Sequence, residues 1–333
     1  MTILIIGDAN ADLSAGLSRY PAEGDDSAVN SFSWGAGGSA TNTAAALAML
    51  GSSARLLARV GRDPYADVAL GIARGSGVDL DFVQVDQQVA TGLCFAAISP
   101  DGERTFFSFR GANVSLTIPD DAALLEGVTW LHIGGHALLE GAQRETTRFL
   151  IDEALSREVP VSIDLCLPLI ERHRGEVLDL LPALTALFTN EPELTALTYR
   201  EPLAIDEEPE ESDGPADDDM HGLAVLDAAD LPAIVAAKLG ASGCLLASGG
   251  TKQRIPAFPI TAIDTNGCGD AFVAGFLHAY LRGLPAHRSA LLANAAGALA
   301  ATRHGAAEAL ARREQLAAFL TRHDIAPEEF GLA

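Results

Sequence analysis

Short apolar stretches alternate with Ala-rich amphipathic ones along almost the whole chain, and this alternation limits the fold more than any other feature. Thr2–Gly7, Ala54–Val60, Val128–Ile133, Val159–Asp164, Leu184–Thr189 and Gly243–Ala247 read as strands. Gly38–Leu50, Pro64–Arg74, Gly141–Ser156, a segment opening at Pro192, Leu231–Leu239, Cys268–Arg282 and His287–Thr302 read as helices. Strands spaced by helices in this way predict an α/β fold with a mostly parallel sheet covered on both faces. In such sheets ligands gather at the carboxyl ends of the strands.

One turn stands out at the start of a predicted helix. In Ile263-Asp264-Thr265-Asn266-Gly267-Cys268-Gly269-Asp270, small residues precede an apolar run from Ala271 to Leu281. The amides of Gly267, Cys268 and Gly269 would lie at a helix N-terminus, where unpaired donors and the helix dipole favour an anion. Asp270 sets a carboxylate beside them. An anion hole next to a base is what phosphoryl transfer to a hydroxyl needs. A second small-residue entry, Gly35-Ala36-Gly37-Gly38-Ser39-Ala40-Thr41-Asn42-Thr43-Ala44, opens another helix.

With both turns, the chain resembles the ribokinase-like (PfkB) carbohydrate kinases. The N-terminal signature of that family is matched by Gly37, Gly38, Ala40, Asn42, Ala44, Gly51 and Gly61. The C-terminal one is matched by Asp264, Gly267, Cys268, Gly269, Asp270, Ala274 and Gly275, with Cys268 where the family more often has Ala. The Gly61-x-Asp63 segment usually continues to a Gly where this chain has Ala66. The resemblance implies a three-layer ribokinase-like fold with a small β lid, and an ATP-dependent sugar kinase in which Asp270 is the base and Gly267, Cys268 and Gly269 form the anion hole. It implies sugar contacts from Asn10, Asp12, Gly37, Gly38 and Asn42. For the nucleotide side it implies Asn190, the loop Lys238–Gly243 with Lys238, Gly240 and Gly243, and Asn294. Magnesium would be held by Glu193 with Asn190 beside it, and a monovalent cation, potassium, near Asp264 and the 299–305 loop. Ala309 stands where a ribokinase would offer a serine oxygen. The loop Ala301–Ala306, with Arg303 and His304, is implied to lie by the adenine.

The core is expected in 1–12, 35–82 and 111–333, and the lid in 13–34 and 83–110, where Leu93–Ile98 and Thr105–Phe109 flank a turn at Asp101-Gly102. Residues 200–222, rich in Glu, Asp and Pro, read as a solvated flexible insertion within the core. Exposed lid edges seek partners, which predicts a homodimer through the lid.

Other motifs yield to simpler readings. His132 and His136 have metal-like spacing, but a strand context with two glycines between them argues against zinc. Gly249-Gly250-Thr251-Lys252 has phosphate-loop residues in the wrong order. The four cysteines are far apart, which suits a reducing cytoplasm rather than disulfides. No apolar run approaches the ~20 residues of a membrane span. The formal charge of −23 over 333 residues, with lysines only at 238 and 252, disfavours nucleic acid and anionic membranes as partners.

The substrate is less constrained. A ribokinase would carry a Glu near Gly135-His136, so Gly135 disfavours ribose. Arg110 stands where fructose and 2-keto-3-deoxygluconate kinases carry an arginine. It would read a sugar carboxylate through a bidentate pair, or else make a salt bridge within the lid. A nucleoside kinase of the same family is the alternative activity. A non-catalytic sugar or nucleotide sensor is the alternative from another class.

Overall fold

The computed structural model describes residues 1–119, 122–198 and 231–332. The expected acidic insertion at 200–222 lies outside the described residues.

The strands are β1 (Thr2–Ile6), β2 (Asn10–Leu17), β3 (Val29–Gly37), β4 (Ser53–Leu57), β5 (Arg59–Gly61), β6 (Gln84–Asp86), β7 (Gly92–Ile98), β8 (Arg104–Phe109), β9 (Val128–Gly134), β10 (Val161–Asp164), β11 (Ala186–Asn190), β12 (Ile234–Lys238), β13 (Cys244–Ser248) and β14 (Thr251–Ile255). The α-helices are α1 (Ser39–Met49), α2 (Tyr65–Ser76), α3 (Gly141–Ser156), α4 (Leu167–Leu180), α5 (Glu191–Thr198), α6 (Cys268–Tyr280), α7 (Ala286–Ala301) and α8 (Arg313–Arg322).

Eight strands form the main sheet in the order β14-β13-β12-β11-β10-β9-β1-β4. All its pairings are parallel except those of β13, which runs antiparallel to both β12 and β14. This is the α/β arrangement with a mostly parallel sheet expected from the alternation. Side-chain parity explains why the strands read as continuous apolar runs. Ile3 and Ile5 enter the core on one face of β1, and Leu4 and Ile6 the core on the other. Phe188 on β11 and Ile234 on β12 join the first core, with Leu187 and Val235 in the second. Helices α1, α2, α6, α7 and α8 cover the first face, and α3, α4 and α5 the second. A strand buried on both sides has no polar alternation to display.

Two elements depart from the expectation. Leu231–Leu239 is not a helix. Its residues Ile234–Lys238 are the central strand β12, paired with β11 from Ala186↔Ile234 to Asn190↔Lys238. The Ala-rich run invites a helical reading, but a short apolar stretch between Pro232 and Gly240 is equally a doubly buried strand. The run Ala54–Val60 divides at Ala58, with β4 in the main sheet and β5 paired to β6 in a two-stranded ribbon. Gly249 and Gly250, both at positive φ, make the tight β13–β14 hairpin turn rather than a phosphate loop.

A separate four-stranded mixed sheet, β3-β2-β7-β8, holds most of the segments expected to form the lid. It begins at Asn10, nearer the core than residue 13, and β7–β8 is the expected hairpin about Asp101-Gly102. Residues 84–86 of the expected lid pair instead with β5.

Candidate active site

Two cavities meet at the N-terminus of α6. One, of about 360 Å³, is walled by the lid residues Asp12, Ser14, Ser33, Trp34 and Phe106 and by Asn42, Asn266 and Gly267 of the core. The other, of about 410 Å³ and more apolar, is bounded by Lys238, Gly240, Gly243, Phe258, Ile260, Cys268, Gly269, Phe272 and Asn294. The turn Gly267–Gly269 is thus shared, with its first residue facing one cavity and its last two the other.

That turn owes its shape to Gly267, the N-cap of α6 with φ 73°. A Cβ there would lie 2.6 Å from the Ala306 carbonyl oxygen, so no larger residue fits without displacing that loop. The first turn of a helix has no intrahelical acceptors for its amides. Among these, Cys268 N–H makes a long bond of 3.3 Å to the Thr265 carbonyl. Burial pushes the Cys268 thiol up to about 12, so it stays a neutral filler.

Asp270 stands in the first turn of α6, directly after the shared turn. Ser39 Oγ donates to its Oδ1 at 2.7 Å, and Asn42 Nδ2 to its Oδ2 at 2.8 Å. Burial raises its pKa to about 6 against the lowering effect of these two bonds. It is therefore ionised just above that value, where it can accept a proton. Across the first cavity, Asp12 has a buried Oδ1 with no partner among the described residues. Burial, then the charges of Glu308 and Asp270, raise its pKa to about 7.

Beside the turn, Lys238 Nζ bonds Asp164 Oδ1 at 2.6 Å and lies 3.4 Å from the position of a Cβ on Gly269. Burial works against its charge, but Asp164, Glu193 and Asp270 together raise its pKa. Glu193 caps α5 reciprocally with Asn190. Glu193 Oε2 accepts from Asn190 N–H and Asn190 Oδ1 from Glu193 N–H, both at 2.9 Å. Burial, then the Asp164 charge, raise Glu193 to about 7.

The sequence model described as "pfkB family carbohydrate kinase" matches residues 2–313. The chain belongs to this family. It is a PfkB carbohydrate kinase that is 30% identical to the "ATP-dependent ribose-1-phosphate kinase" of Halopiger xanaduensis, over 96% of this chain and 98% of that protein. It is 29% identical to the fructokinase of Klebsiella pneumoniae, over 84% and 90%. A putative ribokinase II of E. coli, solved with ATP and Mg²⁺, has the same fold at TM-score 0.79 and 22% identity, covering 97% of this chain and 99% of that one.

In this PfkB chain the structure brings together Asp270, Gly267, Cys268, Gly269, Asp12 and Asn42, and lines the second cavity with Lys238, Gly240, Gly243 and Asn294. Gly37 lies close beneath the Asp12 carboxylate and Gly38 is the N-cap of α1. Asn294 serves the cavity wall by donating to the Ile255 and Pro256 carbonyls. Three expectations are redirected. Asn10 Oδ1 accepts from Asn113 Nδ2 at 2.8 Å and so ties the start of β2 to the segment after β8 rather than lining the first cavity. Arg110 points away from that cavity. Its Nη2 meets Asp8 Oδ1 at 2.8 Å and Gln143 Oε1 at 2.5 Å, a salt bridge to the core rather than one within the lid. His304, expected near the adenine, lines the first cavity.

Ser39, Asp164, Glu308 and Arg104 were not anticipated. Asp164 closes a strand at its carboxyl end, where the general rule for such sheets places ligands, so a signal for it existed. Magnesium favours hard oxygen donors and keeps several waters. The Asp164 charge helps raise Glu193 and Lys238 offsets only part of it, so the carboxylate oxygens of Glu193 and Asp164 suit the dication. Potassium at Asp264 fits less well. Asp264 Oδ1 already accepts Asn266 N–H at 2.9 Å and forms an ion pair with Arg104 Nη2 at 2.9 Å, and Oδ2 accepts Gly305 N–H at 3.0 Å.

Proposed function

We propose that this carbohydrate kinase transfers the γ-phosphoryl group of ATP to a hydroxymethyl oxygen of a small carbohydrate. The observation that carries this reading is the shared turn, with a polar cavity on one side and a more apolar one on the other, followed at once by Asp270, which bonds Asn42 of the first cavity. The sugar occupies the lid-covered cavity, where Asp12 and Asn42 present buried acceptor oxygens to its hydroxyls. ATP occupies the apolar cavity with its γ-phosphate at the 267–269 amides and Lys238. Asp270 takes the hydroxyl proton as the oxygen attacks in line, and the amides and Lys238 hold the charge on the transferring group. Magnesium supplies charge to the triphosphate and would be held through Glu193 and Asp164, with Asn190 adjacent. The lid keeps water, the competing acceptor, from the γ-phosphate.

No Lys or Arg is among the residues lining the first cavity, and Asp12 and Glu308 are, so a neutral, hydroxyl-rich sugar is favoured over a sugar acid. The four cysteines are all free thiols, which agrees with a cytoplasmic enzyme. No helix among the described residues is long and apolar enough to cross a membrane. Two lids are expected to pair in a homodimer.

The test is ADP release against fructose, ribose, ribose 1-phosphate, other hexoses and nucleosides, each with and without magnesium. Magnesium-dependent release with one sugar supports the reading. Release with nucleosides alone gives the nucleoside kinase, and no release with any acceptor gives a sensor.

A further inference from the structure

We infer that Arg104 of the lid supplies the positive charge that completes the Asp264 site, so that an ion pair with the lid, rather than a bound monovalent cation, sets the turn that carries the anion hole. Asp264 is one of the most buried carboxylates among the described residues, with a side chain 8% exposed. Its neighbours on one oxygen and the other are backbone amides of the two loops that meet at the active site. Asn266 N–H belongs to the turn that leads into α6, and Gly305 N–H to the loop that closes against Gly267. The carboxylate therefore fixes the spacing of both loops. Two neutral donors do not balance a buried negative charge, and a carboxylate in such a place calls for a cation.

The cation comes from the lid. Arg104 opens β8, just after the hairpin turn, and pairs with Ile98. Alternate residues of a strand share a face, so Arg104 lies on the same side as Phe106, which walls the sugar cavity. Its Nη2 reaches Asp264 Oδ1 at 2.9 Å, and its side chain is 20% exposed. A guanidinium in contact with the carboxylate neutralises it and repels a second cation from the same oxygens. The Nε of Arg104 is buried and has no partner among the described residues, so Asp264 is the contact that holds this side chain down. Ordering the lid strand and ordering the 264–269 turn become one event. Arg104 is on this account a positioning residue, acting on the transferring phosphoryl group through Asp264 and the backbone it braces.

The test has two arms, and only the second rests on the kinase reading. In the first, crystals of the wild type, R104A and R104Q are soaked in rubidium chloride and examined for anomalous scattering at Asp264. The wild type is expected to show no peak within bonding distance of that carboxylate, and R104A and R104Q to show one, because the freed negative charge takes an external cation. In the second, kinase rates are compared in potassium chloride and in choline chloride at equal ionic strength. Wild type and R104K are expected to be insensitive to the exchange. R104A is expected to lose on the order of tenfold or more in kcat in choline, the scale of one lost charge-assisted bond, and to regain most of it in potassium with little change in sugar KM. A rubidium peak on Asp264 in the wild type would overturn the inference. So would potassium stimulation of the wild type as large as that of R104A, or Arg104 variants that melt like the wild type yet neither bind rubidium nor respond to potassium. Failure of every variant and the wild type to phosphorylate any sugar would refute the proposed activity and leave the rubidium result to decide the role of Arg104.

Discussion

Ser39 and Arg110 show how far a residue's meaning depends on what faces it. Ser39 looks like another small member of a glycine-rich entry, yet its hydroxyl donates to Asp270 and helps keep that carboxyl near 6. Ser39→Ala removes a donor to the charged form, so the Asp270 pKa must rise further. The acid limb of a kcat/KM against pH profile, expected near pH 6 in the wild type, should move to higher pH in the variant, with rates converging toward the alkaline side. An unmoved limb would mean that Asp270 is not the group being titrated. Arg110 carries the opposite lesson. Its bidentate pair with Asp8 is buried, with side chains 14% and 7% exposed. Arg110→Ala leaves Asp8 buried without its cation and is expected to cost about 3 kcal/mol or more, read as a lowered Tm. Selectivity between a neutral and an acidic sugar should hardly change. The sequence suggested an arginine able to read a carboxylate, and it does so, but the carboxylate is the protein's own.

At the scale of elements, local signals were legible and long-range ones were not. Gly267, Cys268, Gly269 and Asp270 are consecutive, and their small side chains before an apolar run announce a helix N-terminus. Gly267→Ala forces a Cβ to φ 73° and against the Ala306 carbonyl, so both stability and kcat should fall. Retention of wild-type kcat in a well-folded Gly267→Ala protein would show that the turn tolerates what its geometry forbids. By contrast, Lys238 meets Asp164 across 74 residues of sequence and Ser39 meets Asp270 across 231. Nothing local marks these pairs, because the first is created by the order of strands in the sheet and the second by the packing of α1 against α6. The strand Ile234–Lys238 escaped notice for a related reason. Its Ala-rich residues have helical propensity, and only burial between β11 and β13 makes a strand of them. Propensity is a weak prior that tertiary packing overrides.

For the whole molecule, the small sheet proposed as the lid is an unfinished one. Its outer strands β3 and β8 each have one neighbour, and Phe32, Phe107 and Phe109 are 70%, 54% and 53% exposed. Open edges and aromatic surface of this kind find a partner, and a second copy of the same lid offers matching strands. Sedimentation at micromolar concentration should therefore give a dimer, and Phe107→Glu should shift it toward monomer. A strict monomer in the wild type would count against pairing through the lid. The central claim, however, is that one chain brings a sugar cavity and a nucleotide cavity to a single turn with one base directly after it. Steady-state turnover of Asp270→Asn with the best sugar, measured beside ADP binding, tests it most directly. The asparagine keeps the shape of the site and removes the proton acceptor. The account predicts a kcat lower by a factor on the order of a hundred or more with ADP affinity nearly unchanged, whereas wild-type turnover in that variant would contradict it.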